Sequence, residues 1–190
     1  MRSFEEQLND LEKALSAASL QLKQLPIWHQ LLLATVLDTP NPESAPGQVY
    51  EAATRRWPRY YDFYELAVSR MVPRWGGSWA LVERFARARA AGDGQGLGVS
   101  MYARLYGSLF LSNVDPRETE LNWPLFKRSL DALIAAHPDA TFKNLAVSTA
   151  CLYADQQYLN ESWNRVAPRE LDRGVWLKGT DTQACARPAK

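Results

Sequence analysis

At 190 residues, with 46% hydrophobic and 23% charged residues, the chain is long enough to bury a core without metal or disulfide staples. Its 22 basic and 21 acidic residues nearly balance, which argues against a phosphate backbone as the main partner, so no nucleic acid is expected. No window approaches the roughly 18 apolar residues of a membrane span, and the acidic Phe4-Glu5-Glu6 start does not suit a secretory signal. The expected location is cytoplasmic by default, or periplasmic if a signal segment has been trimmed.

Ser3 and Glu6 have the spacing of a capping box, and Phe4, Leu8, Leu11, Leu15, Leu22 and Leu25 predict one long first helix. Pro26 suits the first turn of a second helix carrying Ile27, Trp28, Leu31, Leu32 and Val36, which ends before Pro40. Asp38 to Gly47, with three prolines, reads as a loop. A third helix is expected over Gln48 to Arg56. Pro58 then opens a fourth, with Tyr60, Tyr64, Ala67, Val68 and Met71 as its buried stripe. The sharpest local signal follows in Pro73-Arg74-Trp75-Gly76-Gly77-Ser78. Pro73 disfavours helix continuation, the two glycines allow positive φ, and Ser78 can cap the next helix.

Trp79, Val82, Phe85, Ala86 and Arg89 keep helical period in a fifth helix, with Glu83 and Arg87 as an outward i,i+4 pair. Gly92 to Gly98 is a loop: its alternating glycines match neither the dinucleotide fingerprint nor a P-loop. Met101, Tyr102, Leu105, Tyr106 and Leu109 mark a sixth helix. Asp115-Pro116-Arg117-Glu118 reads as a cap leading into a seventh, which holds Phe126, Leu130, Leu133 and Ile134. The eighth carries Phe142, Leu145, Ala146 and Leu152. The ninth starts near Asp155 and presents Leu159, Trp163 and Val166. Beyond Pro168 the period fades.

No sustained two-residue alternation exists, so the expected class is all-α with about nine helices. Trp57-Pro58 followed by Leu66-Ala67-Val68-Ser69 is echoed by His137-Pro138 followed by Leu145-Ala146-Val147-Ser148. Two helical hairpins with small residues at their crossings point to a tetratricopeptide-like stacked array. The expected organisation is N-terminal helices and a Pro-rich loop over 1–47, a helical-repeat domain over 48–178, and a flexible tail over 179–190.

These features resemble a group of uncharacterised bacterial proteins with a helical-repeat domain and a Pro-Arg/Lys-Trp-Gly-Gly-Ser motif. The matching residues are Pro73 to Ser78, Tyr102-Ala103-Arg104 after a Gly-rich loop, Trp123 before His137-Pro138, Ala150-Cys151 with Asp155, and Trp176. Tyr153-Ala154 and the bulky Trp163 depart from the pattern. The resemblance implies a helical-repeat fold and carries no agreed activity.

Gly76-Gly77-Ser78-Trp79-Ala80 approaches a nucleophile elbow only superficially, because the preceding run is helical and ends in proline. The reading preferred here is a serine N-cap, whose free N–H groups could also hold an anion beside Arg74. His29 and His137 lack second ligands at metal spacing, so neither metal nor cofactor is expected. Cys151 reads as a small core residue and Cys185 as part of a polar tail, with a bridge between them possible but unsupported. Trp57, Tyr60, Tyr61, Phe63, Tyr64, Trp75 and Trp79, interleaved with arginines, are too many rings for one narrow helical stripe. They suggest a recognition surface.

The expected function is therefore non-catalytic protein or peptide binding, as in an immunity, antitoxin-type or adaptor protein. Tyr61, Tyr64, Arg74, Trp75, Ser78, Tyr102 and Arg104 are the candidate binding residues. The alternatives are an enzyme with its site near Ser78, Tyr102 and Arg104, or an architectural module of a larger envelope protein.

Overall fold

Side-chain caps decide where several of the helices begin. The computed structural model describes residues 3–38, 46–91, 98–180 and 185–186, and these form nine α-helices and five short 3-10 turns with no strand among them. The all-α expectation holds. No helix among the described residues is long and apolar enough to cross a membrane. Most of the Pro-rich and Gly-rich loops expected around residues 40 and 95 lies outside the described residues, as does most of the tail. The chain divides into two compact units, 1–71 and 72–190.

The first unit contains α1 (Phe4–Ser16), α2 (Pro26–Asp38), α3 (Pro46–Arg56) and α4 (Asp62–Arg70). The capping box forms as expected: Ser3 Oγ accepts from the Glu6 N–H, and Glu6 Oε2 accepts from the Ser3 N–H. The long first helix does not. It stops at Ser16, and a 3-10 turn, Leu22–Gln24, follows. Ser19 Oγ accepts from the Leu22 N–H, a local bond that competes with helix continuation. Carbonyls at the end of α1 are instead taken by the Trp28 indole at Leu15 and the Lys23 ammonium at Ser16. Pro58 likewise lies in a turn before α4 and does not open it. The Tyr60 N–H closes that turn on the Trp57 carbonyl, and the Tyr64 hydroxyl donates to the Pro58 carbonyl.

In the second unit each helix packs on the next in sequence: α5 (Trp79–Ala91), α6 (Ser100–Leu111), α7 (Trp123–Ala136), α8 (Ala140–Leu152) and α9 (Gln156–Trp163). Asn122, Asp139 and Asp155 each accept a backbone N–H from the first turn of α7, α8 and α9. The cap at Asp115 opens only the 3-10 turn Pro116–Glu118, and α7 waits for the Asn122 cap. Pro124 then sits in the first turn of α7, where its missing N–H leaves no gap in the ladder. α6 lies at the centre, with eight of its twelve residues buried. Small Gly107 lets it approach α8 closely, since a Cβ there would lie 3.1 Å from Leu145 Cδ2.

The cysteines depart from expectation. Cys151 and Cys185 are bonded to each other, and Cys185 is fully buried, its carbonyl accepting from the Trp163 indole N–H at 3.0 Å. The intervening chain is tied to α8 through buried Asn144, whose amide donates to the Glu170 carbonyl and accepts from the Asp172 N–H and the Trp176 indole.

At the junction before α5, Val72 is buried and its carbonyl accepts from the N–H groups of Trp75 and Gly77. Gly76 alone takes positive φ, at 86°; Gly77 does not share it. A Cβ on Gly76 would meet nothing within 4 Å, so the backbone conformation alone requires glycine there. Gly76→Ala is expected to lower stability by about 1 kcal/mol in urea denaturation. A loss indistinguishable from zero would contradict this account of the junction.

Candidate functional site

Two polar clusters stand out in the second unit, one inside and one at the surface. Inside, Tyr102 and Tyr106 occupy one face of α6 and are fully buried. Their hydroxyls both donate to Glu83 Oε2 on α5, at 2.5 and 2.7 Å. The Asn122 N–H donates to the Tyr102 hydroxyl at 2.9 Å, and Arg87 donates to Glu83 Oε1 at 2.6 Å. The Glu83–Arg87 pair thus forms at its expected spacing, but Glu83 turns inward, with only 13% of its side chain exposed. Burial, then the hydrogen bond to Glu83, pushes both phenols well above the usual tyrosine range. Both hydroxyls stay protonated and act as donors. On the other side of α6, Ser129 of α7 accepts from the Ala103 N–H and donates to the Val99 carbonyl.

At the surface, a groove of about 340 Å³ is lined by Lys127, Arg128 and Asp131 of α7 and by Asp155, Tyr158 and Glu161 at α9. Helical spacing puts Lys127 and Asp131 on one face of α7. Asp155, as the cap of α9, holds the Tyr158 N–H on one oxygen. Its other oxygen accepts from the Trp123 indole at 3.0 Å and the Lys127 ammonium at 2.6 Å. The hydrogen bond from Lys127 is the main reason its carboxyl sits below the usual aspartate range. Asp131 accepts from the Tyr158 hydroxyl at 2.8 Å and also pairs with Arg165. Trp123 stacks on Tyr153, centroids 4.5 Å apart and 12° from parallel, and meets Tyr158 edge to face.

The residues singled out from sequence divide between the two units. In the first, Tyr64 is buried, its ring edge-on to Tyr50, and Tyr61 is half-buried just before α4. In the second, Trp75 is 56% exposed beside Arg74, whose guanidinium lies 5.8 Å from the ring centroid. Ser78 is exposed, and its Oγ accepts from the Leu81 N–H, capping α5 as its position predicts. Tyr102 and Arg104 point different ways from α6, Tyr102 to Glu83 and half-buried Arg104 to the Phe142 ring.

Sequence reasoning missed the groove. The Trp123 and Lys127 spacing on α7 was readable, and so was the Asp155 cap. Their convergence was not, because it depends on how α7, α8 and α9 fold back on one another.

Compared with protein-family models, curated proteins and solved structures, the chain matches none of them.

Glu83→Ala would leave two buried hydroxyls without their acceptor and is expected to cost about 2–4 kcal/mol in chemical denaturation. Glu83→Gln, which keeps an acceptor oxygen, should cost less; equal losses would contradict the hydrogen-bond account. Because the Asp155 carboxyl is depressed in the folded chain, its stabilising contribution is present above the ordinary aspartate value, about 4. That contribution disappears as pH falls through the lower folded value. Asp155→Asn is therefore expected to flatten the acid side of the stability–pH curve, read as thermal midpoints at stepped pH. An unchanged acid limb would refute the assignment.

Proposed function

We propose that this chain is a non-catalytic protein- or peptide-recognition module, of the kind an adaptor or immunity protein presents, and that the α7–α9 groove is its recognition surface. The observation that carries this reading is the groove itself. It is open, holds the Tyr158 ring against Trp123 at its edge, and is lined by side chains of both charge signs on α7 and α9. Such a surface suits the mixed polar and apolar side chains of a protein segment. The Tyr158 hydroxyl already bridges α9 to Asp131 of α7, so the walls are held in place before any partner arrives. Exposed Trp75 beside Arg74 supplies a second patch of residue types enriched at hot spots.

A photo-reactive amino acid placed at Arg128 or Glu161, both exposed on the groove, tests the reading in cells. Discrete cross-linked species are expected from these positions and not from exposed Ala135 on α7. Combining Arg128→Glu with Glu161→Lys in a chain carrying the cross-linker at Gln157 should remove them while moving the thermal midpoint by no more than about 2 °C. No species from the groove, or the same species from Ala135, would refute it.

A further inference from the structure

The groove contains a cation already held in the way a receptor would hold one. Trp123 and Tyr158 make two aromatic walls, centroids 5.8 Å apart and 83° between planes. The Lys127 ammonium lies 5.6 Å from each ring centroid and 2.6 Å from Asp155 Oδ2. Two π systems and a carboxylate around one site are the elements that recognise an alkylammonium ion. The walls are braced independently of that cation. Tyr153 stacks on Trp123, the Trp123 indole donates to Asp155, and the Tyr158 hydroxyl donates to Asp131.

We infer that Trp123, Tyr158 and Asp155 form a receptor for a lysine side chain of a partner protein, with Lys127 as its resident occupant, displaced when the partner binds. This rests on the reading of the groove as a recognition surface. The choice of a primary ammonium follows from the contact with Asp155, because a quaternary ammonium has no N–H to donate to that oxygen. Displacement is cheap. Lys127 is 31% exposed, and partly solvated ion pairs contribute little net stability. The groove is also acidic once Lys127 leaves, with Asp131, Asp155 and Glu161 facing Arg128 and with Asp131 partnered by Arg165.

The test follows the Trp123 indole N–H signal by NMR in the full-length chain, wild type and Lys127→Ala, with Lys127→Gln replacing the alanine variant if that variant loses its folded spectrum. The probes are Nα-acetyl-lysine amide, its norleucine counterpart and tetramethylammonium. The lysine probe is expected to shift the signal saturably, about tenfold more tightly once the resident lysine is removed, as relief from an internal competitor occupying about nine-tenths of the sites requires. Asp155→Asn should weaken binding several-fold, and norleucine should give no response. No saturable shift in wild type or variant, or an equal response to norleucine, overturns the receptor. Equal affinity of wild type and variant overturns the displacement. Tighter binding of tetramethylammonium than of the lysine probe overturns the assignment to lysine. Failure here with groove cross-linking intact would remove the lysine receptor and leave the recognition surface standing; loss of cross-linking with probe binding intact would do the reverse.

Discussion

Burying one helix on nearly all sides is the constraint around which the second unit is organised. α6 has little solvent-facing surface, yet it carries two tyrosine hydroxyls and, in its first turn, an Ala103 N–H that needs an acceptor from outside the helix. A buried donor without a partner costs as much as several good contacts supply. Glu83 from α5 answers the hydroxyls and Ser129 from α7 answers the Ala103 N–H, so polar satisfaction fixes both neighbours of α6. The same bonds explain why a carboxylate can be mostly buried there: one oxygen takes both phenols and the other keeps Arg87 at the edge.

α7 then serves two faces at once. Inward, Ser129, Phe126, Leu130 and Leu133 pack into the core. Outward, Lys127 and Asp131 reach Asp155 and Tyr158 at α9. Because the inward face is held by a hydrogen bond as well as by apolar packing, the register from which α7 presents its outward side chains is fixed. The segment after α9 adds to this rigidity. Asn144 anchors it to α8 through three hydrogen bonds, and the Cys151–Cys185 bond closes it.

The first unit obeys a looser rule. α2 is apolar around much of its circumference, yet only Leu33, Thr35 and Val36 are buried, while Ile27 and Leu31 are exposed. Its aromatic residues behave as packing: Phe63 and Tyr64 are buried, and Tyr60 donates to Gln30. The dense ring cluster read from sequence as a surface is therefore divided. Part of it is core, and Trp75 in the other unit is outside.

Local chemistry made much of the fold legible. The Ser3–Glu6 box, the Gly76 turn, the Ser78 cap and the Asp155 cap depend on residues within a few positions of each other, so their spacing alone settles them. Helical period likewise sufficed for the class. Where a strong local signal came first, it misled: Asp115 read as the cap leading into α7, which Asn122 caps instead, and Ser19 gives α1 an exit that periodicity concealed. The inward turn of Glu83, the pairing of Cys151 with Cys185, and the meeting of Trp123, Lys127, Asp155 and Tyr158 were decided only in three dimensions. Their partners across helices lie 19 to 35 residues apart, and which side chains meet at that separation is set by helix crossings and the demand to satisfy buried polar groups.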